Sequence, residues 1–229
     1  MRFMRLLLAA VAVMAFHQAA SAAGPGYNTL PTPQRTETGK KVEVIEFFGY
    51  FCPHCFRFDP LLAAWVKKQG DNIVFRRVPL LVSGPNDPQA HAYATLESMG
   101  LTDATHSKIF NAIHVNNARL MTDDSMLDFL VKNGVDKAKY QEFFASFAVQ
   151  TKMKRYGQQA TAFKIDSVPT LVVDGQYVTS PSIAGQPGQA EPDSQAAAVK
   201  VLDLLVAKVQ KDKGLLSAPA AAATKPVKK

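Results

Sequence analysis

The chain has 229 residues, of which 47% are hydrophobic and 20% are charged, and its formal net charge is +7. Two arginines in the first five residues and three lysines in the last five carry much of that charge, and without these five the formal net charge is +2. Nucleic-acid binding requires a basic patch or stripe, which the remaining sequence does not show, so we expect no nucleic-acid partner. The length suits one well-packed domain with a sizeable insertion.

Residues 1–23 have the pattern of a secretory signal peptide. Two arginines precede an apolar stretch at residues 6–16, and small residues follow up to Ala22 and Ala23. The stretch is too short to span a bilayer, which takes about 20 residues. We therefore expect cleavage near Ala22 or Ala23 and export to a compartment in which disulfides persist.

The first regular elements are predicted after an irregular, proline-containing lead-in at residues 24–41. Val42–Phe48 is β-branched, aromatic and nearly all apolar, which is typical of a strand buried on both faces. The spacing of apolar residues over Pro53–Lys68 predicts a helix, and Ile73–Pro79 is a second apolar run. The expected result is a β-α-β unit with two parallel strands.

Helical patterns dominate the next part of the chain. Asp87 and Pro88 fit an N-cap followed by a first-turn proline, and Thr122 is predicted to begin another helix. We interpret residues 84–148 as an inserted helical subdomain and Val149–Lys164 as one long helix after it. The aromatic residues that we interpret as part of the helical core are Phe143, Phe144 and Phe147.

A strand pattern returns near the end of the chain. Thr170–Val173 and Tyr177-Val178 flank Asp174-Gly175, which is a strong signal for a type I′ hairpin turn. A final helix is predicted at Pro192–Lys211. The segment 214–229 consists mostly of alanine, proline and lysine, and we expect it to be disordered. Together, the elements predict a small mixed sheet with helices on both faces.

The only two cysteines form the motif Cys52-Pro53-His54-Cys55 at a predicted strand-to-helix junction. If Cys52 is the N-cap, Pro53 occupies the first helical position, and the N–H groups of His54 and Cys55 point at the Cys52 sulfur. The helix dipole adds about 0.3–1 kcal/mol, whereas a two-unit depression of a pKa needs about 2.7 kcal/mol. We therefore assign His54 the role of supplying a ring N–H or a positive charge to the sulfur.

This pattern predicts a redox-active dithiol with Cys52 as the stabilised thiolate and Cys55 as the resolving thiol. A purely structural disulfide across so short a loop would add little stability. A zinc site needs four ligands, and the chain adds only scattered His91, His106 and His114, so we expect no metal and no other cofactor. We predict that these histidines lie on the solvated surface.

Two further positions are candidates for the site. Glu46 lies in an otherwise apolar strand, where an unpaired carboxylate is costly, so it is expected to be protonated, paired or functional. Its functional interpretation is a proton acceptor near Cys55, and the alternative is a place at an edge or in a solvated pocket. Val168-Pro169-Thr170 lies where the chain enters a strand, and its backbone could offer hydrogen bonds to an incoming strand.

The sequence from Glu46 to Cys55, followed by a helical insertion and Val168-Pro169, resembles the periplasmic DsbA-type thiol:disulfide oxidoreductases of the thioredoxin superfamily. The resemblance covers the chain from about Val42 to Lys211. It implies an α/β, thioredoxin-like fold, with a central mixed sheet flanked by helices and an inserted all-helical subdomain. The two halves of the thioredoxin-like domain are then 42–83 and 149–213.

The resemblance also implies roles for individual residues. Cys52 is expected to be the exposed nucleophile, and Pro169 is expected to face it from a cis peptide bond. Val168 and Thr170 are expected to bind substrate beside an apolar groove, and Glu46 matches the buried acidic residue of the family. The implied partners are folding exported proteins with free cysteines, and a membrane quinone-linked reoxidant of the DsbB type. The implied location of this protein is the periplasm.

Three interpretations of function follow. The first is an enzyme that oxidises thiols of exported proteins, and the second is a reductase or isomerase with the same fold. A dimeric isomerase is disfavoured, because only residues 24–41 separate the signal peptide from the first strand, and we expect a monomer. The third is a chaperone-like module that binds peptides without using the thiols.

Overall fold

The computed structural model of the protein describes residues 26–215, so the predicted signal peptide and nearly all of the C-terminal tail lie outside the described residues. The strands are β1 (Asn28–Thr29), β2 (Val42–Phe48), β3 (Ile73–Pro79), β4 (Thr170–Val173) and β5 (Tyr177–Thr179). The helices are α1 (Pro53–Gln69), α2 (Pro88–Ser98), α3 (Thr102–His114), α4 (Asp123–Lys132), α5 (Lys137–Phe144), α6 (Phe147–Ala162), α7 (Pro181–Ala184) and α8 (Glu191–Asp212). Over residues 26–215, no helix has the length and hydropathy that a membrane span requires.

The strands form one mixed sheet in the order β1-β5-β4-β2-β3. β2 and β3 are parallel and are connected by α1, as the sequence predicts, whereas the other neighbours are antiparallel. The register places Glu46 opposite Arg77 on one side of β2 and Phe47 opposite Thr170 on the other. The central strand therefore brings the residues before the Cys52 motif next to both halves of the sheet.

Successive residues of β2 enter two different cores, because side chains alternate between the faces of a strand. Val44 is completely buried in a cluster with residues of α1 and α8, such as Leu62 and Leu205. Ile45 and Phe47 are buried in a second cluster, which includes Cys52, Cys55 and residues of α2 to α6. The sheet thus lies between α1 and α8 on one face and the helical layer on the other.

Local sequence signals explain where several elements begin and turn. Asp87 caps α2 by accepting a hydrogen bond from the Ala90 N–H at 2.9 Å, with Pro88 in the first turn, and Thr122 caps α4. In the turn between β4 and β5, Asp174 and Gly175 have φ angles of 51° and 65°. Two successive positive φ angles are what a type I′ turn requires, so this predicted hairpin is confirmed.

Two short elements were not predicted. Asn28–Thr29 forms β1 and pairs with Val178 and Tyr177 of β5, although residues 24–41 were expected to be irregular. Pro181–Ala184 forms α7, a helix of only four residues. Elements this short contain too few residues for a hydrophobic period to show. The boundary at residue 148 stays a prediction, and α6 begins close to it, at Phe147.

The prediction that the three histidines are solvated is wrong. His91 stacks on Phe144 with ring centroids 3.6 Å apart, and His106 packs among aromatic rings, so both are buried. His114 is half-buried, and its Nε2 lies 2.8 Å from the Tyr50 carbonyl oxygen. Helical spacing alone does not separate a buried histidine from a solvated one, because the ring can satisfy its nitrogens on backbone and hydroxyl groups.

The prediction that Phe147 belongs to the helical core is also wrong. Its side chain is 86% exposed at the start of α6, whereas Phe143 and Phe144 are half-buried. The hydrophobic spacing continues across Ala145 and Ser146, although α5 ends before these residues and α6 begins after them. Because Phe147 belongs to a new helix, it does not continue the buried face of the two earlier rings.

Candidate active site

Cys52 is the N-cap of α1, as the sequence predicts. Its backbone is extended, with φ of −88° and ψ of 114°, and Pro53 follows in the first helical turn. The Cys55 N–H donates a hydrogen bond to the Cys52 sulfur at 3.3 Å. The free N–H groups at the start of the helix are thus directed at one sulfur atom, which is a favourable place for negative charge.

These contacts stabilise the Cys52 thiolate. The hydrogen bond from the Cys55 thiol is the largest effect; it outweighs burial and, with the N–H groups of Cys55 and His54 and the charge of His54, lowers the pKa of Cys52 from 9.0 to about 6. In contrast, burial, the Cys52 sulfur and the charge of Glu46 raise the pKa of Cys55 far above its ordinary value. Of the two thiols, only Cys52 is therefore a thiolate at neutral pH.

The His54 ring does not point its hydrogen bond at the sulfur. Its Nδ1 lies 2.8 Å from Oε1 of Glu191, and the same carboxylate accepts a hydrogen bond from Nε of Arg57 at 2.8 Å. Within residues 26–215, the ring makes no hydrogen bond to Cys52, so the N–H contribution of His54 comes from its backbone. That His54 supplies a positive charge to the sulfur stays a prediction.

Cys52 is less exposed than expected. Its exposed fraction is 5%, and Cys55 is fully buried, so the expectation of an openly exposed nucleophile is wrong. The Cys52 sulfur lies 3.4 Å from the Val168 carbonyl oxygen, to which the protonated thiol can donate a hydrogen bond, and the Val168–Pro169 peptide bond is cis. The segment that enters β4 therefore contacts the Cys52 sulfur through its backbone.

A groove of about 340 Å³ opens beside these residues. Val168, Pro169 and His54 form one part of its lining, and Glu191 at the start of α8 forms another. The remaining lining residues are Ser167, Pro181, Ser182, Gln189, Ser194 and Gln195. Most of the surface that lines the groove is apolar, as the resemblance implies, although hydroxyl and amide groups lie beside proline and valine.

Thr170 does not line this groove. Its side chain is buried, and its hydroxyl donates a hydrogen bond to the Ser167 carbonyl oxygen at 2.8 Å. It begins β4, where it pairs with Phe47 of β2. Its observed contacts therefore hold the loop that carries Val168 and Pro169 against the sheet.

Glu46 is buried and paired, so the alternative of an edge or a solvated pocket is wrong. Its Oε2 accepts a hydrogen bond from Nε of Arg77 at 2.7 Å, and Nη2 of Arg77 donates to Asp59 at 2.8 Å. Burial outweighs the attraction of Arg77 and, with the repulsion of Asp59, raises the pKa of Glu46 to about 7. Glu46 can thus gain or lose a proton near neutral pH, beside Cys55, whose pKa its charge raises.

Three members of this buried network were not predicted. Arg77 faces Glu46 across the parallel β2–β3 pair, and Asp59 comes from α1. His106 of α3 places Nε2 3.3 Å from Asp59, outside hydrogen-bond geometry, and its Nδ1 lies 3.0 Å from the Tyr50 hydroxyl. The two consecutive arginines of the predicted strand β3 could have indicated a partner for Glu46, because paired parallel strands place their residues side by side.

Comparison with known proteins agrees with this geometry. A family model described as the DSBA-like thioredoxin domain matches residues 43–194. The chain belongs to this family. The thiol:disulfide interchange protein DsbA of Burkholderia cepacia is 40% identical over 197 residues, which cover 85% of this chain and 89% of that protein. DsbA of Pseudomonas aeruginosa is 36% identical over 209 residues, with coverages of 89% and 95%.

Solved DsbA structures have the same fold. The crystal structure of Pseudomonas aeruginosa DsbA matches with a TM-score of 0.75 and 33% identity, over 82% of this chain and 94% of that one. NmDsbA1 of Neisseria meningitidis matches with a TM-score of 0.71 and 26% identity, with coverages of 86% and 98%. This DsbA-family chain is therefore a thiol:disulfide oxidoreductase with a thioredoxin-like fold, and both predictions are confirmed.

Proposed function

We propose that this protein donates the Cys52–Cys55 disulfide to pairs of cysteines in exported proteins as they fold. The observation that carries the proposal is the asymmetry of the two thiols, with the pKa of Cys52 lowered to about 6 and that of Cys55 raised. A stabilised thiolate is a good leaving group, which favours transfer of a disulfide away from the protein.

The reaction has two exchange steps. A substrate thiolate attacks the Cys52 sulfur, the Cys52–Cys55 bond breaks, and Cys55 leaves with the electron pair and takes up a proton. The second substrate thiolate then attacks the substrate sulfur of the mixed disulfide, and Cys52 leaves as a thiolate. The substrate has lost two electrons and the protein has gained them, so the protein ends as the Cys52 thiolate and the Cys55 thiol.

Other residues support these steps. We assign Glu46 the exchange of a proton with Cys55, because it is buried near that thiol and its pKa is raised to about 7. The Val168 carbonyl, held by Pro169 and Thr170 beside Cys52, is suited to pair with the backbone of a substrate strand. Pro53 contributes by starting α1 without an N–H to satisfy.

Turnover requires that the reduced dithiol lose two electrons to an oxidant. We assign this step to a membrane quinone-linked protein of the DsbB type, and we place the reaction in the periplasm after signal-peptide cleavage near Ala22 or Ala23. Both assignments rest on membership of the DsbA family. We expect the protein to act as a monomer.

The test is oxidative refolding of a reduced, unfolded protein with two cysteines, followed by trapping of free thiols. Wild-type protein should introduce the disulfide, and Cys52→Ser should abolish the reaction while peptide binding persists. Cys55→Ser, the matched control, keeps the Cys52 sulfur but cannot form the disulfide, so it should introduce the substrate disulfide only after Cys52 has been converted to a mixed disulfide with glutathione. If Cys52→Ser promoted refolding as well as the wild type, the protein would be a chaperone-like binder and not an oxidase.

A further inference from the structure

Glu191 is the first residue of α8 and contacts both polar side chains at the start of α1. Its Oε1 lies 2.8 Å from Nδ1 of His54, and its Oε2 accepts from Nε of Arg57 at 2.8 Å. Gln195, one turn further along α8, donates to Oε1 at 3.3 Å. The Glu191 carboxylate therefore connects the start of α8 to the start of α1.

The surroundings of His54 Nδ1 admit two arrangements. Nη2 of Arg57 lies 3.0 Å from the same nitrogen that lies 2.8 Å from Glu191. The carboxylate accepts only, so it requires a proton on Nδ1, whereas the guanidinium donates only and requires a free lone pair there. The same atom cannot satisfy both contacts at once, and the carboxylate, which also binds Arg57, favours the protonated nitrogen.

We propose that Glu191 is a positioning residue for the dithiol, which holds the His54 ring in its Nδ1-protonated form and thereby stabilises the Cys52 thiolate. The inference rests on the proposed function, since it concerns how strongly the protein gives its disulfide away. An imidazole ring with a proton on Nδ1 is either neutral or cationic, and a neighbouring carboxylate favours the cationic form. A cationic ring beside the Cys52 sulfur in turn favours the thiolate. Without Glu191, the only remaining polar contact of Nδ1 among the described residues is the Arg57 guanidinium, which requires a lone pair and not a proton on this nitrogen.

The position of this contact links it to substrate binding. His54 and Glu191 both line the groove beside Val168 and Pro169. Their side chains are 62% and 32% exposed, so solvent weakens the pair in the free protein. The contact therefore adds a small stabilisation of the Cys52 thiolate to the larger stabilisation by the helix N-terminus and the Cys55 thiol.

The test compares Glu191→Gln with Asp193→Asn, which removes a negative charge from the same first turn of α8. The readout is the ratio of thiolate to thiol at Cys52, followed by thiolate absorbance in the reduced protein across pH. Exposed ion pairs contribute up to about 1 kcal/mol, so Glu191→Gln should lower the ratio at pH 6 by about two- to fivefold. Asp193→Asn should leave the ratio unchanged or raise it slightly.

A second background shows whether Glu191 acts through His54. In His54→Phe protein, adding Glu191→Gln should have no further effect on the ratio. The inference is overturned if Glu191→Gln matches the wild type, if Asp193→Asn lowers the ratio equally, or if the effect persists in His54→Phe protein. These outcomes leave the proposed function standing as long as wild-type protein oxidises the reduced substrate, and loss of that activity would refute the function instead.

Discussion

At the scale of single residues, the site depends on the opposite environments of two thiols separated by two residues. Cys52 receives the N–H groups of the helix start and the thiol of Cys55, whereas Cys55 is enclosed in the core. Because Cys52 is the sulfur that is stabilised as a thiolate, it is the better leaving group when the mixed disulfide with a substrate is resolved. The asymmetry follows from the position of the motif at the beginning of α1.

Glu46 gives a prediction about stability and pH. Its pKa is raised from 4.5 to about 7 in the folded protein, so the folded state holds a proton that the unfolded state releases between these values. The stability from this carboxyl group is fully present below pH 4.5 and is lost as the pH rises through about 7. The free energy of unfolding of the wild type, relative to Glu46→Gln, should therefore fall by about 3 kcal/mol between pH 4 and pH 8.

Denaturant unfolding of the oxidised proteins at several pH values measures this difference without a contribution from thiol titration. Glu43→Gln is the matched control, because Glu43 lies on the same strand and pairs with Arg76 at 3.2 Å, away from the thiols. A difference between wild type and Glu46→Gln that stayed constant across pH would contradict the raised pKa of Glu46.

At the scale of elements, the turn between β4 and β5 fixes the lead-in against the sheet. Gly175 has a φ of 65°, and a Cβ at this position would lie 2.2 Å from the Gln34 carbonyl oxygen. The Gly175 carbonyl in turn accepts a hydrogen bond from the Gln34 N–H at 2.8 Å. A side chain here would both strain the turn and push the lead-in away.

We therefore predict that Gly175→Ala lowers the free energy of unfolding by more than the strain of a positive φ alone, which is about 1–2 kcal/mol. Gly100→Ala is the control, because Gly100 has a φ of 70° and open space where the Cβ would lie. Thermal or denaturant unfolding of the two variants measures the difference. Equal losses of stability would show that the lead-in yields freely and that its contact with Gly175 contributes little.

The elements also show how far the sequence could lead. The apolar runs of β2 and β3 predicted these strands to the residue, and the capping signals of Asp87 and Thr122 predicted the starts of two helices. The two-residue strand β1 was missed because its pairing depends on β5, about 150 positions away along the chain. Strong local patterns are therefore predictable, whereas elements held only by distant partners are not.

The site follows the same rule. The motif from Cys52 to Cys55 identified the dithiol, and the resemblance implied the cis peptide bond at Pro169, which the structure contains. Neither could show that the His54 ring turns to Glu191, 137 positions later, or that His106 of α3 approaches Asp59. Such partners are determined by the packing of elements, which no local pattern records.

At the scale of the whole molecule, the site lies where the separate parts of the fold meet. The β2–α1 junction supplies the thiols, the loop before β4 supplies Val168, and α8 supplies Glu191. The layer of helices α2 to α6 places His106 next to Asp59 of the buried network around Glu46, and it shares one core with Cys52 and Cys55. The reactivity of two neighbouring cysteines thus depends on residues that lie as far apart in the sequence as Glu46 and Glu191.

The most direct test of the account is the reduction potential of the Cys52–Cys55 couple, measured by equilibration with glutathione and mass-tagging of free thiols. Stabilisation of the Cys52 thiolate favours the reduced protein, so we predict a potential clearly more positive than about −200 mV, on the oxidising side of glutathione. A potential near about −270 mV, as for thioredoxin, would contradict the proposed donation of a disulfide and would indicate a reductase.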